Sequence, residues 1–167
     1  MKLIPDYIQK LCDELKIIGN IVKETNTEID TIYFGGGTPT SISAEYIEVL
    51  MECVKDNFDI ASVREYNFEA GRADTITREK LEIIKKYGAT RISVNPQTLN
   101  DDVLKVIGRL HTGEDTINAF KTAREVGFDN INMDLIAGLP SETSESFKNS
   151  LDKIIDLNPE SITVHTL

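Results

Sequence analysis

Glycines and polar side chains recur where short apolar runs of this chain end. Three consecutive glycines follow the first run, so bare backbone must approach another group closely or turn sharply there. Carboxylates and amides near later run ends can accept hydrogen bonds, and a guanidinium can clamp a carboxylate with two parallel hydrogen bonds. The candidate binding residues are Gly35, Gly36, Gly37, Thr38, Glu69, Gln97, Arg109 and Asp134.

This set of groups suits a zwitterionic nucleoside better than a phosphate ligand. The glycine backbone can meet an ammonium or a carboxylate, and Asp134, Gln97 and Glu69 can accept hydrogen bonds from ribose hydroxyls or an ammonium. No lysine follows the glycines as it does in a P-loop, and the spacing GxGxxG is absent. Walker and Rossmann assignments are therefore weak.

Several candidates also have a purely structural explanation. The glycines can simply form a tight turn, and Glu69 can be a solvated charge at a strand end. Arg109 can interact with the carbonyls that end a helix. Asp134 is harder to explain in this way, because it lies inside an apolar run and a buried carboxylate needs a partner.

The same two interpretations apply to the residues around Pro96 and to both histidines. Asn95 and Gln97 fit turn formers beside Pro96, which is expected to end its strand. His111 fits a helix cap or a surface position as well as a catalytic role. His165 fits a satisfied histidine of the core.

Apolar periodicity predicts strands that alternate with helices. Such an order predicts right-handed crossovers and a parallel sheet, so the fold class is α/β. In a parallel barrel the carboxyl ends of the strands share one rim, where such enzymes do chemistry, so the candidates should converge there. Strands are predicted over 30–34, 63–70, 91–94, 130–136 and 161–166, and helices over 4–25, 44–57 after a Ser43 cap, 77–87, about 100–107, 112–127 and 144–157.

Composition bounds the function classes. The chain has 167 residues, of which 40% are hydrophobic and 28% charged, which is ordinary for a soluble globular protein. A net charge of −10 disfavours a nucleic-acid partner, because no surplus of basic residues exists to neutralise phosphates. No apolar stretch approaches the roughly 18 residues of a membrane span, and residues 1–5 lack a signal-peptide core.

The two cysteines do not form a recognisable framework. Cys12 and Cys53 have neither disulfide nor metal spacing, and both lie in helix-like runs, so we interpret them as core thiols. No metal ligand is predicted in this chain. A cytoplasmic location is the default that follows.

The order of elements also predicts an incomplete barrel. The chain opens on a helix and closes on a strand, whereas a complete eight-unit barrel needs about 250 residues. We therefore interpret residues 1–167 as a partial barrel domain whose first strand and C-terminal part are missing. Exposed barrel edges would follow, and with them self-association through the sheet edges.

Four stretches together resemble one family. Residues 33–40 look like the glycine motif of radical S-adenosylmethionine (SAM) enzymes of the oxygen-independent coproporphyrinogen III dehydrogenase family. The stretches 69–72, 91–112 and 132–140 agree in order and approximate spacing, so the resemblance covers about residues 28–167. The variants Asn-Pro-Gln-Thr and Glu-Ala-Gly-Arg are similar to the branch called coproporphyrinogen dehydrogenase-like.

The resemblance implies an incomplete TIM-like (β/α)6 barrel that binds SAM across the strand carboxyl ends. It implies a parent oxidoreductase of haem biosynthesis that acts on a porphyrinogen-like small molecule. There, a [4Fe-4S] cluster cleaves SAM to a radical that starts the oxidative decarboxylation of propionate side chains. By this resemblance the methionine moiety contacts Gly35, Gly36 and Gly37, and the family's other SAM contacts correspond to Glu69, Gln97, Arg109 and Asp134.

One departure from the family is decisive for this chain. The CxxxCxxC motif that holds the cluster, expected just after the first strand, is absent. Cys12 and Cys53 cannot replace three thiolates. We therefore expect the cluster only in the full-length protein. The chain itself is expected to be catalytically inactive and to keep at most a weakened SAM half-site.

Two other functions compete with the oxidoreductase. A haem chaperone of the same family would share this barrel and these motifs but carry haem without oxidising porphyrinogen. An unrelated barrel enzyme with a phosphorylated substrate would need a phosphate-binding glycine loop late in the barrel, which this chain does not reach.

Overall fold

The computed structural model describes residues 3–167. Met1 and Lys2, which belong to the predicted 1–167 domain and to the segment 1–5 considered for a signal peptide, lie outside the described residues. The described chain forms one five-stranded sheet with six α-helices. The strands are β1 (Thr31–Phe34), β2 (Glu65–Gly71), β3 (Arg91–Gln97), β4 (Ile131–Ala137) and β5 (Ser161–Thr166). The helices are α1 (Ile4–Glu24), α2 (Ala44–Asn57), α3 (Arg78–Lys86), α4 (Asp101–Val106), α5 (Gly113–Val126) and α6 (Ser144–Leu157), and 3₁₀ turns cover Pro39–Ser41 and Ala73–Thr75.

The sheet is parallel throughout, and its strand order follows the chain order from β1 to β5. Right-handed crossovers that always step the same way place the helices that connect successive strands on one face of the sheet. The predicted α/β class, with parallel (β/α) repeats forming part of a barrel, is confirmed. Among residues 3–167, β1 and β5 each pair on one side only, and the predicted self-association through these edges stays a prediction.

The strands are apolar on the helix-facing side and polar on the other. Ile92, Ile131 and Met133 are fully buried in the main core, together with side chains from α2, α3 and α5. The alternate strand positions, such as Ser93 and Asn132, carry polar side chains. The open face of the sheet is therefore a polar surface that ends at the candidate rim.

Most element ends follow the predicted signals. Thr112 and Asp115 form the capping box that begins α5, and the α5 C-cap Gly127 has φ +100°. The prediction for Ser43 is wrong in part, because Ser43 holds the N-cap position of α2 but its hydroxyl makes no capping hydrogen bond.

The predicted end of β3 is also wrong. The strand continues through Pro96 to Gln97. Its pairing with β4 is irregular between Val94 and Gln97, so the missing proline N–H interrupts no regular ladder.

Both cysteines pack where α1 meets α2, in a small apolar cluster with Ile8 and Leu50. They are free and buried, and Cys53 Sγ lies 3.5 Å from the carbonyl oxygen of Cys12. Their interpretation as core thiols is confirmed. Within residues 3–167, no helix is both long and apolar enough to cross a membrane.

Candidate functional site

The glycine loop (residues 35–40) leaves the carboxyl end of β1. Gly36 has φ +117°, which side chains rarely adopt. A Cβ on Gly35 would collide with the Tyr33 ring and lie 3.1 Å from Glu69 Oε2. By contrast, Gly37 has no positive φ, and a Cβ there would meet no atom within 4 Å. Nothing inside the described protein requires glycine at position 37, so its backbone is free for the close approach of an external group.

Glu69 is held by donors from both neighbouring strands. The Tyr33 hydroxyl donates to Oε2 at 3.0 Å, and the Asn95 amide lies 3.4 Å from Oε1. Burial, and then the bond to Glu69, raises the pKa of Tyr33 to about 12, so the hydroxyl stays a donor. Asn95 Oδ1 is buried and has no partner among the described residues. The rim therefore presents an oriented carboxylate beside an unsatisfied acceptor.

Tyr33 contacts the candidate site through Glu69 and is not among the residues predicted from the sequence. The available signal is the two-residue period of a strand, which places Tyr33 and the start of the glycine loop on one face. The alternative explanation of Glu69 as a solvated charge is wrong, because its side chain has two specific partners and is only half-exposed.

Asp134 has the partner that its position requires. Asn132, two residues earlier on the same face of β4, donates to Asp134 Oδ1 at 2.6 Å. The side-chain oxygen Oδ1 of Asn132 in turn accepts from the Ser161 hydroxyl at 2.7 Å and the Thr163 hydroxyl at 3.1 Å on β5. Asp134 is half-buried and close enough to Tyr33 for its charge to contribute to the raised Tyr33 pKa. The sheet thus brings Asp134 to the same polar face as Glu69.

Two β-bulges lie at this rim. The pairing of β2 with β3 shifts between Glu69 and Gly71, and that of β3 with β4 shifts between Val94 and Gln97. Gln97 itself has φ +66°, which is uncommon for a residue with a side chain. Bulges redirect side chains and are common next to binding sites. The two bulges place Glu69 and Gln97 outside regular strand geometry at the candidate site.

Arg109 lies on the loop between α4 and α5, partly buried. Burial lowers the pKa of its guanidinium, and the nearby Arg72 lowers it further, while Asp74 opposes both effects. Its backbone N–H donates to the Leu104 carbonyl, but its side chain makes no hydrogen bond to a helix end or to another described residue. Arg109 shares no hydrogen bond with Glu69, so the structure places it at the rim without joining it directly to the glycine loop.

Both histidine interpretations change. His111 is buried rather than at the surface, and its Nδ1 lies 3.3 Å from Asp74 Oδ1. His165 is exposed on β5, so its interpretation as a core histidine is wrong. Among the described residues, β5 is an edge strand with no strand paired on its outer side.

A cavity of about 490 Å³ beside the glycine loop lies between β1, α1 and α2. It reaches Gly35 and Gly37, but its walls are mainly apolar side chains such as Leu11, Phe34 and Ile47. This cavity lacks the carboxylates of the rim. The polar face of the sheet, rather than this cavity, is the candidate site.

The rim fits SAM but not an iron–sulfur cluster. The open Gly37 backbone, the Glu69 carboxylate, the unpartnered Asn95 oxygen and the Arg109 guanidinium match the charged and polar groups of SAM. The described residues contain no group of three or more His, Cys, Asp or Glu side chains placed to hold a metal ion. Both thiols are in the contact between α1 and α2.

Comparison with known proteins agrees with this geometry. The family model "Radical SAM superfamily" matches residues 6–154. The oxygen-independent coproporphyrinogen-III oxidase-like protein HemZ of Bacillus subtilis is 51% identical over 98% of this chain and 33% of its own length. The heme chaperone HemW of the same organism is 37% identical over 98% of this chain and 43% of its own length. The chain thus spans between a third and a half of these relatives.

The fold is also similar to that of a solved structure. The coproporphyrinogen III oxidase HemN from Escherichia coli, a radical SAM enzyme, superposes with a TM-score of 0.79 and 29% identity. That match covers 96% of this chain and 37% of HemN. The chain therefore belongs to the radical SAM superfamily, among homologues that include HemZ, HemW and HemN.

Proposed function

We propose that the rim of this chain is the protein half of a SAM site. The proposal rests chiefly on Gly37, whose missing side chain serves no internal purpose and leaves backbone open, two residues after the Gly35 that lies close to the oriented Glu69 carboxylate. Membership of the radical SAM superfamily supports it. The residues proposed to contact SAM are Gly35, Gly36, Gly37, Thr38, Glu69, Gln97, Arg109 and Asp134.

Each part of this set has a role that its chemistry allows. The glycine backbone and Glu69 receive the methionine end of SAM, where an ammonium can donate to the carboxylate that Tyr33 orients. Arg109 can clamp a carboxylate with two parallel hydrogen bonds. Asp134 and Gln97 can accept from ribose hydroxyls, and Asn132 keeps one Asp134 oxygen engaged while the other stays available.

We propose further that the chain is part of an oxidoreductase resembling oxygen-independent coproporphyrinogen III oxidase. When bound and reduced by a [4Fe-4S] cluster, SAM supplies a radical that can begin the oxidation of a substrate carbon. The described residues bind and orient SAM in this proposal but hold no cluster. The chain alone is therefore expected to be inactive. HemZ, the relative with 51% identity, carries the oxidase-like name that supports this assignment.

A haem chaperone is the second candidate, and the 37% identity to HemW favours it. The two functions differ in what the protein does with a tetrapyrrole. A longer protein that contains this chain separates them: the oxidoreductase decarboxylates coproporphyrinogen, detected as vinyl products by chromatography. Stable stoichiometric haem binding without decarboxylation would instead assign the chaperone function.

SAM binding by this chain can be tested with Asp134→Ala. We expect saturable binding of SAM to the wild-type chain in isothermal titration calorimetry. The substitution should weaken it about tenfold or more, because a hydrogen-bonding carboxylate contributes roughly 1.5–3 kcal/mol. Asp152→Asn, on the far helix α6, is the matched control and should bind as the wild type does. Equal SAM affinity of Asp134→Ala and wild type would remove Asp134 from the site.

A further inference from the structure

A chain of hydrogen bonds joins the glycine loop to the loop that carries Arg109. It runs through the 3₁₀ turn Ala73–Thr75, which follows β2. On the side of the glycine loop, the Thr40 hydroxyl donates to the Ala70 carbonyl in β2 and lies 2.6 Å from Thr75 Oγ1, which donates to the Arg72 carbonyl at 2.8 Å. The Lys80 ammonium donates to the Thr40 and Thr75 carbonyls at 2.7 and 3.0 Å.

On the other side, Asp74 joins this turn to the loop between α4 and α5. Arg72 donates to both Asp74 oxygens at 3.1 Å through Nε and Nη2. His111 Nδ1 lies 3.3 Å from Asp74 Oδ1, and its side chain is fully buried. Because an ionised carboxylate only accepts hydrogen bonds, the imidazole is the donor in this contact.

The charges around Asp74 support an ionised carboxylate. Burial raises the pKa of Asp74, but the hydrogen bonds and charge of Arg72 and the bond from His111 outweigh it, so the pKa lies below its ordinary value. Two guanidiniums, those of Arg72 and Arg109, lie near this one carboxylate. Without it, they would repel each other in a partly buried setting.

We propose that Asp74 and His111 are positioning residues that fix Arg109 relative to the glycine loop. Arg109 is two residues before His111, so the buried imidazole anchors the loop at one end. The Asp74 charge offsets the repulsion between Arg109 and Arg72. The functional half of this inference, an effect on SAM binding, rests on the proposed SAM site. The structural half, the anchoring of the loop by Asp74 and His111, does not.

The structural half is tested without ligand by hydrogen–deuterium exchange of the wild-type chain and Asp74→Asn. The substitution should speed exchange in peptides covering 107–112 about tenfold, since a charge-assisted anchor is lost. Peptides covering β3 should exchange as before, which separates local loosening from global destabilisation. His111→Ala should also speed exchange over 107–112, and the control Asp152→Asn should not change it. Unchanged exchange over 107–112 in both Asp74→Asn and His111→Ala would overturn the inference.

The functional half is tested by a double-mutant cycle on SAM affinity. Asp74→Asn should weaken SAM binding about tenfold when Arg109 is present and hardly at all in the Arg109→Ala background. Equal losses in both backgrounds would show that Asp74 does not act through Arg109, which overturns the inference. If the wild-type chain does not bind SAM at all, the proposed function fails, and the exchange experiment still decides whether Asp74 anchors the loop.

Discussion

At the scale of single residues, the rim carboxylates are oriented by donors from their own face of the sheet. Glu69 has one donor on each side, whereas Asp134 has Asn132 on Oδ1 and no described partner on Oδ2. A half-buried carboxylate without such donors would lose hydration without compensation. The tyrosine and asparagine therefore fix where the carboxylate oxygens can meet a ligand.

Tyr33→Phe tests this orientation at Glu69. The change removes one hydrogen bond and keeps the ring that covers Gly35, so SAM affinity should fall about three- to tenfold in calorimetry. Tyr66→Phe is the matched control, because the buried Tyr66 hydroxyl has no partner among residues 3–167 and its removal breaks no bond. An equal effect of both substitutions on SAM binding would contradict a specific role for Tyr33.

The sequence predicts that Asp134 needs a partner but does not name it. Asn132 shares its face through the two-residue period, yet several polar residues on β3 and β5 were equally available. For His111, the local sequence predicts the wrong environment. Its position near a helix end suggests exposure, but the side chain is buried and contacts Asp74 in the 73–75 turn, which is distant in sequence.

At the scale of elements, local signals set most boundaries, and tertiary contacts set the rest. Helix α6 has the predicted bounds because apolar periodicity and the Thr143 cap agree. Strand β3 runs beyond Pro96 because a bulge removes the need for the proline N–H, which no local rule reveals. The bulges at Glu69 and Gln97 are likewise properties of paired strands rather than of one segment.

Glu160 illustrates a tertiary contact that holds elements together. One oxygen accepts from Arg124 on α5 at 2.8 Å, and the other accepts from the backbone of Ile131, the first residue of β4, at 2.8 Å. Glu160 immediately precedes β5. One side chain therefore joins α5 and the beginnings of the last two strands.

Glu160→Gln should lower the free energy of unfolding by about 1 kcal/mol at pH 7. Burial raises the pKa of Glu160, but the bonds from Arg124 and Ile131 outweigh it and hold this pKa below its ordinary value. The stabilisation is therefore complete above the unfolded value of 4.5 and is lost as pH falls through the folded pKa.

Urea unfolding between pH 7 and pH 3 measures this dependence. The difference between wild type and Glu160→Gln should be constant near neutrality and shrink below about pH 4.5. Glu82→Gln, at an exposed position on α3, serves as the control and should cost little at any pH. A wild-type advantage that grows towards acid pH would refute the assigned contacts.

At the scale of the whole molecule, the candidate site depends on a parallel sheet whose strand order follows the chain order. The proposed SAM contacts are spread from residue 35 to residue 134, and consecutive parallel strands bring their carboxyl ends to one edge. This convergence could be predicted from the alternation of strands and helices. Which rim residues touch one another could not, because it depends on register shifts and on loops such as 107–112.

Substitution of Gly37 tests whether this rim binds SAM through bare backbone. Gly37→Ala should fold normally, with an unchanged or slightly raised melting temperature, because the position has no positive φ and its surroundings are open. Gly35→Ala should instead destabilise the chain, because the new methyl group collides with the Tyr33 ring. Calorimetric titration with SAM should give saturable binding to wild type and at least a tenfold loss in the stable Gly37→Ala variant. Absence of binding to wild type, or equal affinity of the two proteins, would refute the proposed SAM site.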